Sequence, residues 1–206
     1  MIGFELTPAY NPAEYALHYE RSGNITEVPV ELNELEREAM QFALSLAGEA
    51  LADGNPPVGA VLIVNNGEHT FAAKTHDKTS RHLMGHAELV AYEDAHKVIG
   101  DDMSTSTLVT TAAPCSSCTP HYAEGKIARI VTAAPRRYIY QISGLMRPRA
   151  INMHELLTDG DTETTLVLNH QLERSLGLFA LYGKRKGYQV PDSIDEFLRP
   201  VVQLTA

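Results

Sequence analysis

The chain has 206 residues, 44% of them hydrophobic and 21% charged, which suits one globular domain able to bury a substantial core. A formal net charge of -9 leaves no overall basic footprint for neutralising phosphates, so a nucleic-acid partner is disfavoured, with a local patch still open. Two cysteines, Cys115 and Cys118, cannot staple a fold of this size, and no run reaches the roughly 18 apolar residues of a membrane span. Met1 to Glu5 lacks a basic flank followed by an apolar run, so the expectation is a reducing, cytoplasmic setting with no membrane and no secretion.

In chain order, Asn11-Pro12-Ala13-Glu14 carries a capping signature that predicts a helix ending at Gly23, and residues 24–32 read as a linker or short strand. The first 32 residues are therefore expected to be an accessory segment ahead of a main domain over 33–186, with 187–206 as a tail. Asn33 and Glu36 form a capping-box spacing, and Leu35, Ala39, Phe42, Ala43, Leu46, Ala47, Ala50 and Leu51 make the apolar stripe of a helix stopped by Gly54. Val58 to Val64, then Asn65-Asn66-Gly67, then Thr70 to Ala73 reads as a hairpin. His86 to Ile99 is helical, Thr107 to Ala112 is a strand, a helix follows as far as Glu124, and Ile127 to Ala133 is a fourth strand. Residues 135–149 read as a polar, basic stretch, followed by a short helix near 151–157, a fifth strand at Thr164 to Leu168 and a last regular helix from Asn169 to Tyr182. A strand, helix and strand in so few residues implies a parallel crossover, and the whole order predicts an α/β fold: three α/β/α layers around a five-stranded mixed sheet with helices on both faces.

Within this frame His86-Ala87-Glu88 and Pro114-Cys115-Ser116-Ser117-Cys118 stand out. His86, Cys115 and Cys118 are three ligands of the types that catalytic zinc takes while keeping a position open for water. Glu88 is better placed as a proton carrier beside that water than as a ligand. A redox pair would not require the upstream histidine and glutamate, and a purely structural zinc would call for a fourth ligand, with His82 and His121 the candidates.

The two segments together resemble the zinc-dependent cytidine deaminase superfamily, with its His-x-Glu and Pro-Cys-x-x-Cys motifs. Pro57-Val58-Gly59-Ala60-Val61 is similar to the pocket strand of the branch that holds tRNA adenosine deaminases and guanine deaminases, and the likeness spans roughly residues 33–186. The resemblance implies one zinc per chain on His86, Cys115 and Cys118, with Glu88 as proton shuttle while zinc hydroxide attacks the carbon bearing an exocyclic amine. It also implies that Val58, Ala60 and His76 bind substrate. Where many members of the branch have an asparagine that reads the base, this sequence has His76, with Thr75 the alternative one position away; Ala113 replaces a frequent glutamate, and Pro120 interrupts the helix after the cysteines, which is expected to start afresh there.

The expected function is hydrolytic deamination of a free nucleobase, nucleoside or related amino-heterocycle by a homodimer, since members of the resembled family are usually oligomeric. tRNA adenosine deamination is the first rival, and a non-catalytic zinc-stabilised binding protein the second. The cations Arg136, Arg137, Arg147, Arg149, Lys184, Arg185 and Lys186 are read as a solvated loop and a helix end in preference to a phosphate site.

Overall fold

A computed structural model describes residues 14–20, 24–82, 84–143, 157 and 163–190. Seven strands form one mixed sheet: β1 (Tyr15–Tyr19), β2 (Ile25–Val28), β3 (Gly59–Val64), β4 (His69–Lys74), β5 (Ser106–Ala112), β6 (Arg129–Ala134) and β7 (Thr164–Leu168), in the spatial order β2-β1-β7-β6-β5-β3-β4. The five expected strands are all present, β5–β6 and β6–β7 pair in parallel, and β3 runs antiparallel to both β4 and β5. The other two strands come from the N-terminal segment. Its expected helix is instead β1, antiparallel to β7 in the register Tyr15↔Leu168, with β2 returning beside it. Hydrogen bonds to a strand about 150 residues away override a local capping signature.

The helices are α1 (Glu34–Ala52), α2 (Asp77–Ser80), α3 (Ala87–Ile99), α4 (Thr119–Glu124), α5 (Arg136–Ser143) and α6 (Leu172–Arg185). Alternation along the central strands sends side chains to two faces. Leu62, Leu108, Ile130 and Leu166 pack with Ala87, Ala91 and Ala95 of α3 and Tyr122 of α4. Val61, Ile63, Val109, Val131 and Val167 pack with Ala39, Met40, Ala43 and Leu44 of α1. A Cβ on Gly59 would lie 2.1 Å from the Ala43 carbonyl oxygen, so glycine is what lets α1 rest directly on β3. The stripe of α1 is rotated from its expected phase. Met40 and Leu44 are buried against Val61, Val109 and Val131, while Leu35 and Phe42 are exposed.

The basic stretch contains α5, which the sequence pattern does not anticipate. Tyr138, Ile139 and Ile142 turn inward onto Leu172, Leu176 and Phe179 of α6, and Arg136 opens the helix. Of the helix expected near 151–157 only Leu157 is described, and it is buried; the tail beyond 190 lies outside the described residues. No described helix is long and apolar enough to cross a membrane.

Candidate functional site

β4, β5, β6 and β7 point the same way, so their C-terminal ends share one edge of the sheet, where open α/β sheets characteristically hold ligands. Ala112↔Ala134 closes the β5–β6 register, which puts the Cys115 turn and the start of α5 side by side. Cys115 and Cys118 belong to a tight turn in which the amides of Cys118 and Thr119 both donate to the Cys115 carbonyl at 2.9 Å. α4 then starts with Pro120 in its first turn, where the missing N–H costs nothing, as the sequence predicts. His86 is the N-cap residue of α3, and its ring reaches the cysteine turn.

His86 Nδ1 lies 3.4 Å from Cys118 Sγ and 3.5 Å from Cys115 Sγ, and the two sulfurs are 3.2 Å apart. Tetrahedral zinc, with bonds of about 2.3 Å to sulfur and 2.0 Å to nitrogen, would separate such ligand atoms by roughly 3.5–3.8 Å, within about half an ångström of this triangle. These three side chains form the one metal-ligand cluster of His, Cys, Asp or Glu among the described residues. His82 is exposed and stacks with His76, while His121 faces the Tyr92 ring, so neither supplies a fourth ligand. A soft thiolate pair with one imidazole and an unclaimed fourth direction fits zinc with an open position.

The electrostatics agree with a site built to hold cationic charge. Hydrogen bonding from Cys118 holds the Cys115 thiol far below its usual range, against burial and with help from His86 and Arg136, while the same bond and burial push Cys118 up. The hydrogen bond to Cys115 raises His86. Glu88, in the first turn of α3, is 4% exposed, and burial pushes its carboxyl up to about 7, opposed by its own backbone N–H.

Ala60 is fully buried in the cluster that contains Ala87, Cys115 and Cys118, and Val58 packs at its margin. The Val58 carbonyl accepts the Thr75 amide at 2.9 Å, tying the start of β3 to the loop after β4. Thr75 is buried with its hydroxyl accepting from the Ala87 amide at 3.3 Å, so its side chain is spent on the entry to α3. His76 is half-buried at the start of α2, with Nδ1 2.8 Å from Ser80 Oγ, and a Cβ on Gly85 would come within 2.9 Å of the same nitrogen. The residue that the sequence pattern misplaces is Arg136. It follows β6 directly, as the cysteine turn follows β5, and its Nη1 donates to the carbonyl of Ala113 at 3.5 Å. The expected parallel pairing of these two strands, extended to the residues just beyond their C-terminal ends, is the signal that could have located it.

Among known proteins, the tRNA-specific adenosine deaminase of Bacillus subtilis is 30% identical over 96 residues, 46% of this chain and 59% of that protein. The tRNA(Ile)-lysidine synthase of Deinococcus radiodurans is 35% identical over 97 residues, 47% of this chain but 17% of that protein. This chain thus spans less than two thirds of the length of these curated relatives. The guanine deaminase of Nitrosomonas europaea superposes with a TM-score of 0.60 at 22% identity, covering 76% of this chain and 88% of that one, a likeness of fold. Residues 33–134, from the cap of α1 through the cysteine turn to the end of β6, are matched by the family model of the cytidine and deoxycytidylate deaminase zinc-binding region, and this part of the chain belongs to that family.

Proposed function

We propose that this protein is a zinc-dependent hydrolytic deaminase of a free nucleobase, nucleoside or related amino-heterocycle, with His86, Cys115 and Cys118 as the zinc ligands. The observation that carries the reading is Glu88: a buried carboxyl, raised to about 7, beside a three-ligand cluster that has no fourth described protein ligand. A structural metal site has no use for such a group, whereas hydrolysis of an amino-heterocycle needs one. Zinc bound there supplies Lewis acidity and makes water a competent nucleophile near neutral pH. The overall change breaks the ring carbon–amine bond, forms a carbon–oxygen bond from water and releases ammonia. Glu88 Oε holds the proton taken from water, passes it to the ring nitrogen beside the amine-bearing carbon, and serves the departing amine in turn. Ala60 and Val58 line the wall against which the ring lies, and Thr75, being committed to the Ala87 amide, leaves His76 as the side chain that reads the base. The cytoplasmic setting and the homodimer belong to the same reading.

The name of the Bacillus subtilis relative favours tRNA adenosine deamination as a second reading. Against it stand the acidic total and the use of the α6 cations within the fold: Arg185 Nη1 donates to the Leu51 carbonyl at 2.8 Å, and Lys186 Nζ lies 5.4 Å from the centre of the Tyr182 ring. Ammonia release from cytosine, guanine, adenine, their nucleosides and nucleotides, pterins, triazines and tRNA, measured on zinc-loaded protein, tests both. Glu88→Gln is expected to keep zinc and lose on the order of a hundredfold or more in turnover. Wild-type turnover in that variant would overturn the mechanism.

A further inference from the structure

Arg136 is a cation with no carboxylate ion-pair partner among the described residues. It is half-buried at the first position of α5, and among the described residues no carboxylate lies within 4.0 Å of it. Tyr140 sets its geometry: Nε donates to the Tyr140 hydroxyl at 2.8 Å, and the guanidinium carbon lies 5.4 Å from the centre of the same ring. One Nη1 hydrogen goes to the carbonyl of Ala113, two residues before Cys115. A guanidinium has five N–H donors, so most of the fork has no acceptor among the described residues. Burial works against its charge, while Tyr140, Cys115 and Glu88 outweigh burial and keep its pKa raised, which places it electrically within the site. Taking a guanidinium out of water with most of its donors unused is costly unless a ligand returns the hydrogen bonds, and a fork clamped at one nitrogen presents the others in a fixed direction.

We propose that Arg136 anchors the substrate by donating from its free N–H groups to an acceptor oxygen of the substrate, either a ring carbonyl or a phosphate carried by the nucleotide. The inference rests on the deaminase reading and narrows its substrate class to amino-heterocycles that bear such an oxygen; rings with amino groups alone would lack the anchor. Tyr140 is a positioning residue, acting through Arg136. Charge-assisted hydrogen bonds of this kind discriminate strongly, because the variant leaves the ligand oxygen desolvated and unpaired.

The test is equilibrium binding by calorimetry to zinc-loaded wild-type, Arg136→Gln, Arg136→Lys and Tyr140→Phe proteins. The probes are uracil and xanthine, which carry ring carbonyls and no amine to lose, uridine 5′-monophosphate, which adds a phosphate, and purine, which has no oxygen. Arg136→Gln is expected to weaken the oxygen-bearing probes by about 10- to 100-fold, Arg136→Lys by less, and purine not at all, with zinc content unchanged. Equal losses for uracil and uridine 5′-monophosphate assign the contact to the ring carbonyl, and a loss confined to the nucleotide assigns it to phosphate. Tyr140→Phe keeps the charge and should show a smaller loss in the same rank order. The proposal is overturned if no oxygen-bearing probe binds through Arg136, or if the Arg136 variants shed zinc, which would make the guanidinium a partner of the thiolates. Arg136-dependent binding without ammonia release from any ring sinks the deaminase reading alone. Ammonia release with binding indifferent to Arg136 sinks this inference alone.

Discussion

Glu36 and Glu88 invite comparison because each sits in the first turn of a helix on the sheet and each is almost fully buried, at 3% and 4% exposure. Glu36 is completely engaged. Its Oε2 accepts the Asn33 amide at 3.0 Å in a capping box, and its Oε1 takes Arg129 Nε at 2.6 Å, while Arg129 also donates to the Glu31 carbonyl. Glu88 has its own backbone N–H and no ion pair within 4.0 Å among the described residues, and burial drives its carboxyl up to about 7. The same residue type in the first turn of a helix is thus a strut at one end of the strands and the proposed proton carrier at the other. What differs is whether the surroundings complete its hydrogen bonds; a polar group that burial isolates and leaves available is the one expected to do chemistry.

The largest effect expected from breaking this contrast is at the site end. Cys118→Ala removes a fully buried sulfur that meets both other members of the cluster, and metal affinity is coupled to folding. Zinc should fall from near stoichiometric to a small fraction by metal analysis, with turnover abolished and a thermal midpoint lowered by several degrees. Full zinc occupancy in this variant would sink the ligand assignment. At the other end, Arg129→Met should cost about 3 kcal/mol in urea unfolding, since it leaves the Glu36 carboxylate buried and half-paired, yet zinc content and turnover per folded molecule should match wild type. A fall in turnover of more than a few-fold would mean that the two ends are energetically coupled and that the contrast is false.

Much of the fold and of the site is legible in the amino-acid sequence, and the parts that are not share a cause. The strands β3 to β7, the cap of α1 and the pairing of His86-x-Glu88 with Cys115-x-x-Cys118 are local patterns, written in period, capping residues and spacing. β1 is not local. Tyr15 to Tyr19 become a strand because β7 offers an unpaired edge, and no periodicity within five residues reports that. α5 hides because arginines and a preceding proline mask the inward spacing of Tyr138, Ile139 and Ile142. Arg136 reaches the site only because β5 and β6 are parallel neighbours in register, a relation that a composition-level view of basic residues as solvated cannot contain. Chemistry carried by one segment can be read from the chain; chemistry assembled across strand ends requires the topology.

The smallest expected effect gives the sharpest test of how Glu36 is held. Asn33 Oδ1 accepts the Glu36 amide at 2.8 Å, the other half of the capping box. Asn33→Ala leaves that N–H orphaned at the start of α1 but keeps both the Asn33 backbone donor and Arg129 on the Glu36 carboxylate, so the loss should be about 1 kcal/mol, less than for Arg129→Met. Because both changes act on Glu36, their effects should not add: with Asn33 truncated, the carboxylate is free to lean further toward Arg129, and the double variant should lose more than the sum of the singles. Strict additivity in urea unfolding would mean that cap and ion pair hold Glu36 independently, and that its engagement is two separate contacts instead of one network.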